Sequence, residues 1–424
     1  MALSDFRLMM ERCSNCSYCK WIPLDKVASQ RFSACCPSVE YFNFNAYSAR
    51  GRFQISASLI DGTAEYTDTI MDVINGCMAC GACDVSCKVC RYNLEPLEHN
   101  IELKTDTVEK GHELPQLKAL VENLKAEGTM MAGRTNAGRG AWAEGLNVKD
   151  LSAEKAEVMF FNGCRYSLDK SLWETPRAAI EILSGAGVDI GIFGNEEKCC
   201  AGRAYSMGYR AEWSDAADQN LKTWREAGVK TIVTSCADCY YSLKRLYAKK
   251  GSEIKVMHTI EYIDQLINEG KIKFTKEIPM TVTYHDPCHL GRLGEEYVPW
   301  EGTERKIRGQ IAIWEPRRPR YNGANGIYDA PRNVLKSIPG LKLAEMERIR
   351  EYAWCCGAGG GCGEAYPKLA SRTAGERVTE ALSTGAEAIV TACPWCERSF
   401  TSAEGENGVK MQTIDITRLV SRAI

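Results

Sequence analysis

Ten cysteines in the C-terminal two-thirds of the chain form two copies of one pattern. The first copy runs Cys164, Cys199-Cys200 and Cys236-Ala-Asp-Cys239, and the second runs Cys288, Cys355-Cys356 and Cys393-Pro-Trp-Cys396. Thiolates at this density are soft ligands, suited to iron–sulfur or zinc. A cubane or a tetrahedral zinc takes four ligands, and each copy offers five. A plain CxxC dithiol would leave the adjacent pairs Cys199-Cys200 and Cys355-Cys356 without use, which argues against thioredoxin-like exchange.

The N-terminal part carries a second signal. Cys13-x2-Cys16-x2-Cys19 is followed by Cys35-Cys36-Pro37, then by Cys77-x2-Cys80-x2-Cys83-x3-Cys87. C-x2-C-x2-C-x3-C is the two-cluster ferredoxin run, in which the fourth cysteine ligates the other cluster. On that logic one [4Fe–4S] cubane takes Cys13, Cys16, Cys19 and Cys87, and the other takes Cys77, Cys80, Cys83 and Cys36. Cys36 is preferred to Cys35 because it precedes a proline. The first half is stretched between Cys19 and Cys36, and Lys88 stands where a proline usually follows. Zinc knuckles, the alternative, would leave the triplets unexplained, because zinc sites use pairs. Cys90 and Cys362 are spare. His285 and His289 flank Cys288 and are candidate catalytic proton donors, since an ordinary imidazole titrates near neutrality.

Such ligands need rigid elements behind them. Ile232-Val-Thr-Ser and Ile389-Val-Thr-Ala each end on a CxxC and read as short buried strands. Val158–Phe161 leads to Cys164, Val188–Phe193 to Cys199-Cys200, and Thr281–Tyr284 to Cys288. Thr175–Leu183, Trp213–Ala227 and Leu369–Leu382 intervene as helices. Strands alternating with helices predict two α/β modules with parallel sheets, at 156–276 and 277–424. Their sites lie at the carboxyl ends of the strands. Residues 1–127 are expected to form a helical two-cluster ferredoxin-like domain, with Leu117, Leu120, Val121 and Leu124 on one helix face. The Gly-, Ala- and Asn-rich stretch 128–155 reads as a linker. The second module carries an insertion near 293–326 that includes Trp300, Trp314, Arg305, Lys306, Arg308, Arg317, Arg318 and Arg320. A long basic loop of this kind suits a lid over an anionic thiol such as coenzyme A, or an arm that docks an acidic partner. The glycines of Gly357-Ala-Gly-Gly-Gly361 would let backbone N–H groups approach cluster sulfur rather than a dinucleotide.

At 424 residues the chain is long enough for two or three domains, and its 21 cysteines sit in clusters rather than in a secreted disulfide framework. A formal net charge of −2 gives no support to nucleic-acid binding. No apolar run approaches the roughly 20 residues that span a bilayer. The N-terminal residues lack a secretory signal. A cytoplasmic location follows, with docking to a membrane partner left open.

The pattern C-x34-CC-x35-C-x2-C, repeated with longer spacers, resembles the cysteine-rich CCG domain pair. That pair marks the B-type and D-type subunits of heterodisulfide reductase and their relatives. Among those relatives are the C-type subunit of glycerol-3-phosphate dehydrogenase and glycolate oxidase iron–sulfur subunits. Two ferredoxin motifs ahead of two such domains look like the D-type arrangement. The resemblance implies that each five-cysteine set binds a non-cubane [4Fe–4S] cluster: Cys164, Cys199, Cys200, Cys236 and Cys239 in one, and Cys288, Cys355, Cys356, Cys393 and Cys396 in the other. With the two cubanes this makes four clusters. The implied activity is disulfide/thiol redox chemistry on a small molecule. Electrons would be exchanged with a flavoprotein or another donor or acceptor subunit of a hetero-oligomer. The rival expectation is a non-catalytic electron-transfer subunit of the class II benzoyl-CoA reductase or electron-bifurcating type. Ala201 replaces the motif glycine in the first copy.

Overall fold

Apolar β-branched runs that are buried on both faces need helices above and below, and that is how the two halves are built. The computed structural model describes residues 2–89, 94–296, 300–307, 311–317 and 319–424. The first half supplies β1 (Lys149–Asp150), β2 (Val158–Phe160), β3 (Ile190–Ile192), β4 (Thr231–Thr234) and β5 (Lys255–His258). They form one parallel sheet in the order β1-β3-β2-β4-β5. The second half supplies β6 (Thr281–Tyr284), a hairpin of β7 (Thr303–Ile307) and β8 (Ile311–Glu315), then β9 (Lys342–Leu343), β10 (Ala388–Thr391) and β11 (Gln412–Asp415). Its parallel sheet has the order β11-β10-β6-β9, and β7–β8 stands apart as an antiparallel pair. The expected duplicated α/β architecture is therefore present.

The pairing explains the cysteine geometry. In each sheet the chain leaves a central strand, adds a neighbour on one side, and returns on the other side. β2 and β4 flank that switch in the first sheet, and β6 and β10 in the second. Their carboxyl ends lie side by side, which is where such sheets place their sites. Phe161 N–H donates to Val233 O at 2.8 Å, and His285 N–H to Val390 O at 2.8 Å, carrying both pairs up to the cysteine turns.

The N-terminal part is helical, as expected. Leu3, Phe6, Met10, Phe53, Met71, Ile74, Leu94 and Leu103 form its own small core. The helix Pro115–Glu127 turns Leu117, Leu120, Val121 and Leu124 inward, and these join the large core shared by both sheets. No helix of the described residues is long and apolar enough to cross a membrane.

The expected linker at 128–155 is corrected by the structure. Met130, Arg139 and Trp142 are fully buried, and Lys149–Asp150 is the edge strand β1. Asn123 Nδ2 donates to the carbonyls of Thr129, Met131 and Arg134, each at 3.0 Å, and folds the segment back on the helix. The glycines supply turns within a packed segment rather than slack between domains. Its main task is electrostatic. Arg139 pairs with buried Glu197 at 2.8 Å. Glu197 in turn accepts the backbone N–H groups of Asn162 and Gly163, each at 2.9 Å, at the turn that carries Cys164. The second half has a counterpart in Asp286, held by Arg332 at 2.7 and 2.9 Å two residues before Cys288.

Removing Arg139 would strand a buried carboxylate. Arg139→Ala should destabilise the protein by about 3 kcal/mol or more in chemical denaturation. Arg134→Ala, at an exposed position a few residues away, should change it by about 0.5 kcal/mol at most.

Candidate functional site

The first five-thiol set is assembled at the carboxyl edge of β2 and β4. Gly163 turns the chain after β2 with φ +75°, and a Cβ there would lie 2.8 Å from the Cys239 sulfur. Only glycine leaves room for the thiols behind it. Cys164 and Cys199 sulfurs stand 3.9 Å apart, and those of Cys200 and Cys239 stand 3.7 Å apart. Ala201 N–H points at Cys199 Sγ at 3.4 Å, and Ala201 adopts φ +54°, the left-handed geometry that a glycine would take more easily. Ser242 and Tyr247 hydroxyls fix the Cys200 carbonyl, each at 3.2 Å, and Asn220 fixes the Cys199 carbonyl at 3.0 Å. Hydrogen bonds from Cys199 and Cys239 hold the Cys200 thiol well below its ordinary range.

The second set repeats this arrangement after β6 and β10. Cys355 is hydrogen-bonded to Cys288 and Cys356. Cys356 is held well below the ordinary thiol range by Cys355 and Cys396. Gly357 N–H points at Cys355 Sγ at 3.4 Å, matching Ala201. The two sets meet at a hydrogen bond between Cys236 and Cys393. Burial opposes ionisation of Cys393, but Cys236 and Cys396 outweigh it and keep that thiol well below its ordinary range. Nine of the ten sulfur-bearing residues are buried, and Cys288 is half-buried.

The N-terminal thiols influence one another across the two triplets. Burial, then Asp84, then Cys19, Cys16 and Cys13 raise the Cys87 thiol, so Cys87 stands with the first triplet. Burial pushes Cys36 up to about 12, with Cys80 and Cys77 adding to the shift. Cys83 likewise feels Cys77, Cys80 and Cys36 after burial and Asp84. Both triplets share a backbone signature. The residues on either side of the middle cysteine are left-handed: Asn15 (φ 60°) and Ser17 (φ 67°) about Cys16, and Ala79 (φ 50°) and Gly81 (φ 73°) about Cys80. Alternating hand turns successive N–H groups into a concave nest of the kind that receives anions and iron–sulfur groups. Three of the four are not glycine, so strain is being held in place there. Among the described residues no three His, Cys, Asp or Glu side chains close round a single ion. Cysteine spacing, not a closed ligand shell, is what assigns these thiols to fours and fives.

The quartets and quintets touch in series. Buried Cys35 donates to the Cys19 carbonyl at 3.4 Å and feels both Cys36 and Cys80, so it lies between the two quartets. A hydrogen bond from Cys355 pulls the Cys80 thiol down to about 6 and links the second quartet to the second quintet. Buried Arg292 clamps this junction. Its Nε donates to Cys80 O at 2.7 Å, and its Nη1 to Glu351 O and Ala353 O at 2.6 and 2.7 Å. Buried Lys104 bridges Cys77 O and Gly360 O, each at 2.8 Å. The glycine run thus has another role besides the one expected. A Cβ on Gly359 would fall 2.3 Å from Met78 O, and one on Gly360 would fall 2.4 Å from Cys77 O. The run lets the second module interlock with the N-terminal part.

The two histidines separate. His289 hydrogen-bonds Asp238, between the thiols Cys236 and Cys239, and stacks on Tyr241 at 4.9 Å. Burial disfavours its charge, but Asp238 and Cys288 outweigh it and raise it to about 10. His285 departs from expectation. It accepts from Arg377 Nε at 3.1 Å and packs against Phe400, and burial with Arg377 and Arg292 holds it neutral. It belongs to the core behind β6. Cys362 is buried against Asn75 O, and Cys90 lies outside the described residues, as do Arg308 and Arg318 of the insertion.

One feature was not visible in the motifs. A cleft of about 340 Å³ is lined by Arg165, Ala358, Trp395 and Arg398. Arg165 follows Cys164, Ala358 is two residues past Cys356, and Trp395 precedes Cys396. The Arg203 guanidinium lies 4.1 Å and that of Arg165 5.0 Å from the Trp395 ring centre. The only clue in the sequence was that these residues stand beside motif cysteines.

The sequence profile of the cysteine-rich domain family (CCG) matches residues 158–244 and 319–401. Over 427 residues the chain is 29% identical to the D-type subunit of dihydromethanophenazine:CoB--CoM heterodisulfide reductase from Methanosarcina mazei, covering 98% of this chain and 94% of that protein. It is 28% identical over 375 residues to "EtfAB:quinone oxidoreductase" of Syntrophomonas wolfei, covering 84% of this chain and 47% of that protein. A solved structure, "Crystal structure of a hypothetical protein from Helicobacter pylori", shares the fold with TM-score 0.53 at 9% identity, over 89% of this chain and 67% of that one. Two matched cysteine-rich domains, together with a likeness that runs nearly end to end, relate the chain to the D-type heterodisulfide reductase subunits.

Proposed function

We propose that this protein is the part of a larger oxidoreductase that handles disulfide and thiol redox chemistry. Its four thiol groups hold four [4Fe–4S] clusters. Cys13, Cys16, Cys19 and Cys87 hold one cubane, and Cys36, Cys77, Cys80 and Cys83 the other. Cys164, Cys199, Cys200, Cys236 and Cys239 hold one non-cubane cluster, and Cys288, Cys355, Cys356, Cys393 and Cys396 the second. When bound, the clusters supply the single-electron steps that cleaving or making an S–S bond requires. The observation that carries this reading is the closeness of Cys236 and Cys393, where the two five-thiol sets, nine of whose ten residues are buried, approach each other.

The chain's own residues supply positioning and charge. Arg165 and Arg398 line the cleft together with Glu364, which is paired with Arg203, and Arg165 is itself paired with Asp169, so Arg398 is the cleft's cation without a carboxylate partner among the described residues. Such a cation suits a thiol or disulfide that carries carboxylate or phosphate groups. Trp395 offers an apolar face for its carbon chain. His289 keeps a proton at Nδ1 against Asp238, beside Cys288 and Cys393, where a released thiolate would need one. Nine of the ten cysteine residues are buried, which limits water there, while half-buried Cys288 marks the more open side. The relatives' names favour partner subunits that exchange electrons with this one. A pure electron conduit is the second reading. It is favoured by one observation, that no cysteine lines the cleft itself.

Thiol release from coenzyme A disulfide by the dye-reduced, iron-loaded protein distinguishes the two: turnover is expected, and its absence with every disulfide tried would leave the conduit. Arg398→Gln should raise KM for coenzyme A disulfide about tenfold or more while leaving uncharged hydroxyethyl disulfide nearly unaffected. Cys393→Ser should lose roughly a quarter of the bound iron and sulfide and one component of the EPR spectrum. Cys362→Ser, at a buried cysteine outside all four groups, should keep the full complement.

A further inference from the structure

The insertion of the second module begins at that module's own thiols, with Leu293 N–H donating to Cys288 O at 3.0 Å. Its hairpin leans on the first quartet. Glu304 in β7 pairs with Arg12 at 3.7 Å, next to Cys13, and accepts Trp314 Nε1–H from β8 at 3.0 Å. At the base of the insertion, Lys88 Nζ, next to Cys87, donates to Tyr321 O at 2.8 Å. Segment 305–320 carries six basic residues against one acidic. Of these, Arg305, Arg317 and Arg320 are exposed and form no ion pair among the described residues.

The same corner carries the exposed apolar surface of the molecule. Eight large hydrophobic side chains are exposed among the described residues, and five of them lie within the first 44 residues: Leu8, Tyr18, Trp21, Leu24 and Phe44. Such clustering marks an interaction surface, because isolated exposed hydrophobics are scattered. Tyr18, Trp21 and Leu24 surround Cys16 at the mouth of an open depression of about 750 Å³. Cys16 is the one cysteine among the described residues that is exposed. The outermost of the four thiol groups is therefore also the one with an apolar collar and a basic arm beside it.

We propose that the collar around Cys16 and the β7–β8 arm form one docking face for a small acidic electron-carrier protein whose cofactor lies near its own surface. The arm draws in the acidic carrier through long-range attraction. The collar packs against an apolar rim and excludes water at the point of closest approach. In each encounter one electron leaves the carrier's reduced cofactor, which is oxidised, and enters the group held by Cys13, Cys16, Cys19 and Cys87, which is reduced. No bond changes and no proton moves. A free small molecule has no need of so wide a collar. An anionic bilayer would be attracted by the same arginines but carries no electron to deliver. The proposal rests on iron–sulfur occupancy of the first quartet and not on disulfide chemistry.

The test uses the full chain with its iron and sulfide content verified. Reduced plant-type ferredoxin, an acidic one-electron donor, is mixed with it in stopped flow, and cluster bleaching is followed. Binding of oxidised ferredoxin is measured in parallel by calorimetry. Both the rate and the affinity should fall steeply with added salt. The triple variant Arg305→Glu, Arg317→Glu, Arg320→Glu should lower both about tenfold or more at low salt. Trp21→Ser should slow reduction at every salt concentration. Reduction by photoreduced deazaflavin, which needs no docking, should change less than about twofold in either variant. Unchanged ferredoxin rate and affinity in the triple variant, or a parallel loss with deazaflavin, would overturn the proposal. So would capture by phosphatidylserine vesicles that depends on the arm while ferredoxin kinetics stay unaltered. Loss of disulfide turnover with docking intact would remove the preceding reading and leave this one standing.

Discussion

Two thiol–thiol contacts, Cys236 with Cys393 and Cys80 with Cys355, govern the structure around them. Sulfur that must ionise in a dry interior needs compensation close by, because burial disfavours the thiolate. The compensation is layered. Backbone N–H groups of Ala201 and Gly357 point at the sulfurs directly. Arg292 grips the carbonyl of Cys80, and its Nη2 has no hydrogen-bond partner among the described residues. Behind the turns, Arg139–Glu197 and Arg332–Asp286 pin the strand ends, so the cysteine loops cannot relax outward. Each pair is itself buried, which makes it costly to break from one side.

Duplication gives the two modules the same plan, and the differences between them carry the individuality of the chain. The first sheet gains the extra edge strand β1 from the segment that precedes it. The second module's extra length includes a hairpin whose Glu304 pairs with Arg12 of the N-terminal part.

Much of this was legible in the chain. The β-branched runs before each CxxC became buried central strands because their periodicity and their length allow little else. The crossed quartets are what ferredoxin spacing alone suggests, and the surroundings of Cys87 and Cys36 match it. Other features were hidden for definite reasons. Residues 128–155 have the composition of a linker, yet their packing depends on Arg139 finding Glu197, a distant partner that no local pattern encodes. His285 looked like its neighbour His289. Burial beside Arg377 and Arg292 keeps one imidazole neutral, and Asp238 with Cys288 charges the other, partners that only the tertiary fold supplies. The Arg165–Ala358–Trp395 cleft draws on three separate segments, so spacing gave no warning of it.

The interlock of Gly359 and Gly360 with the backbone at Cys77 and Met78, sealed by Lys104, has a kinetic corollary. Proteins that shuttle electrons by swinging a mobile head make each hop wait for a collision. Here backbone is wedged against backbone, with no slack for such a swing. On the proposed cluster occupancy, internal transfer would be hard-wired, and throughput would be metered at the rim of the molecule, by arrival and departure, rather than along its interior.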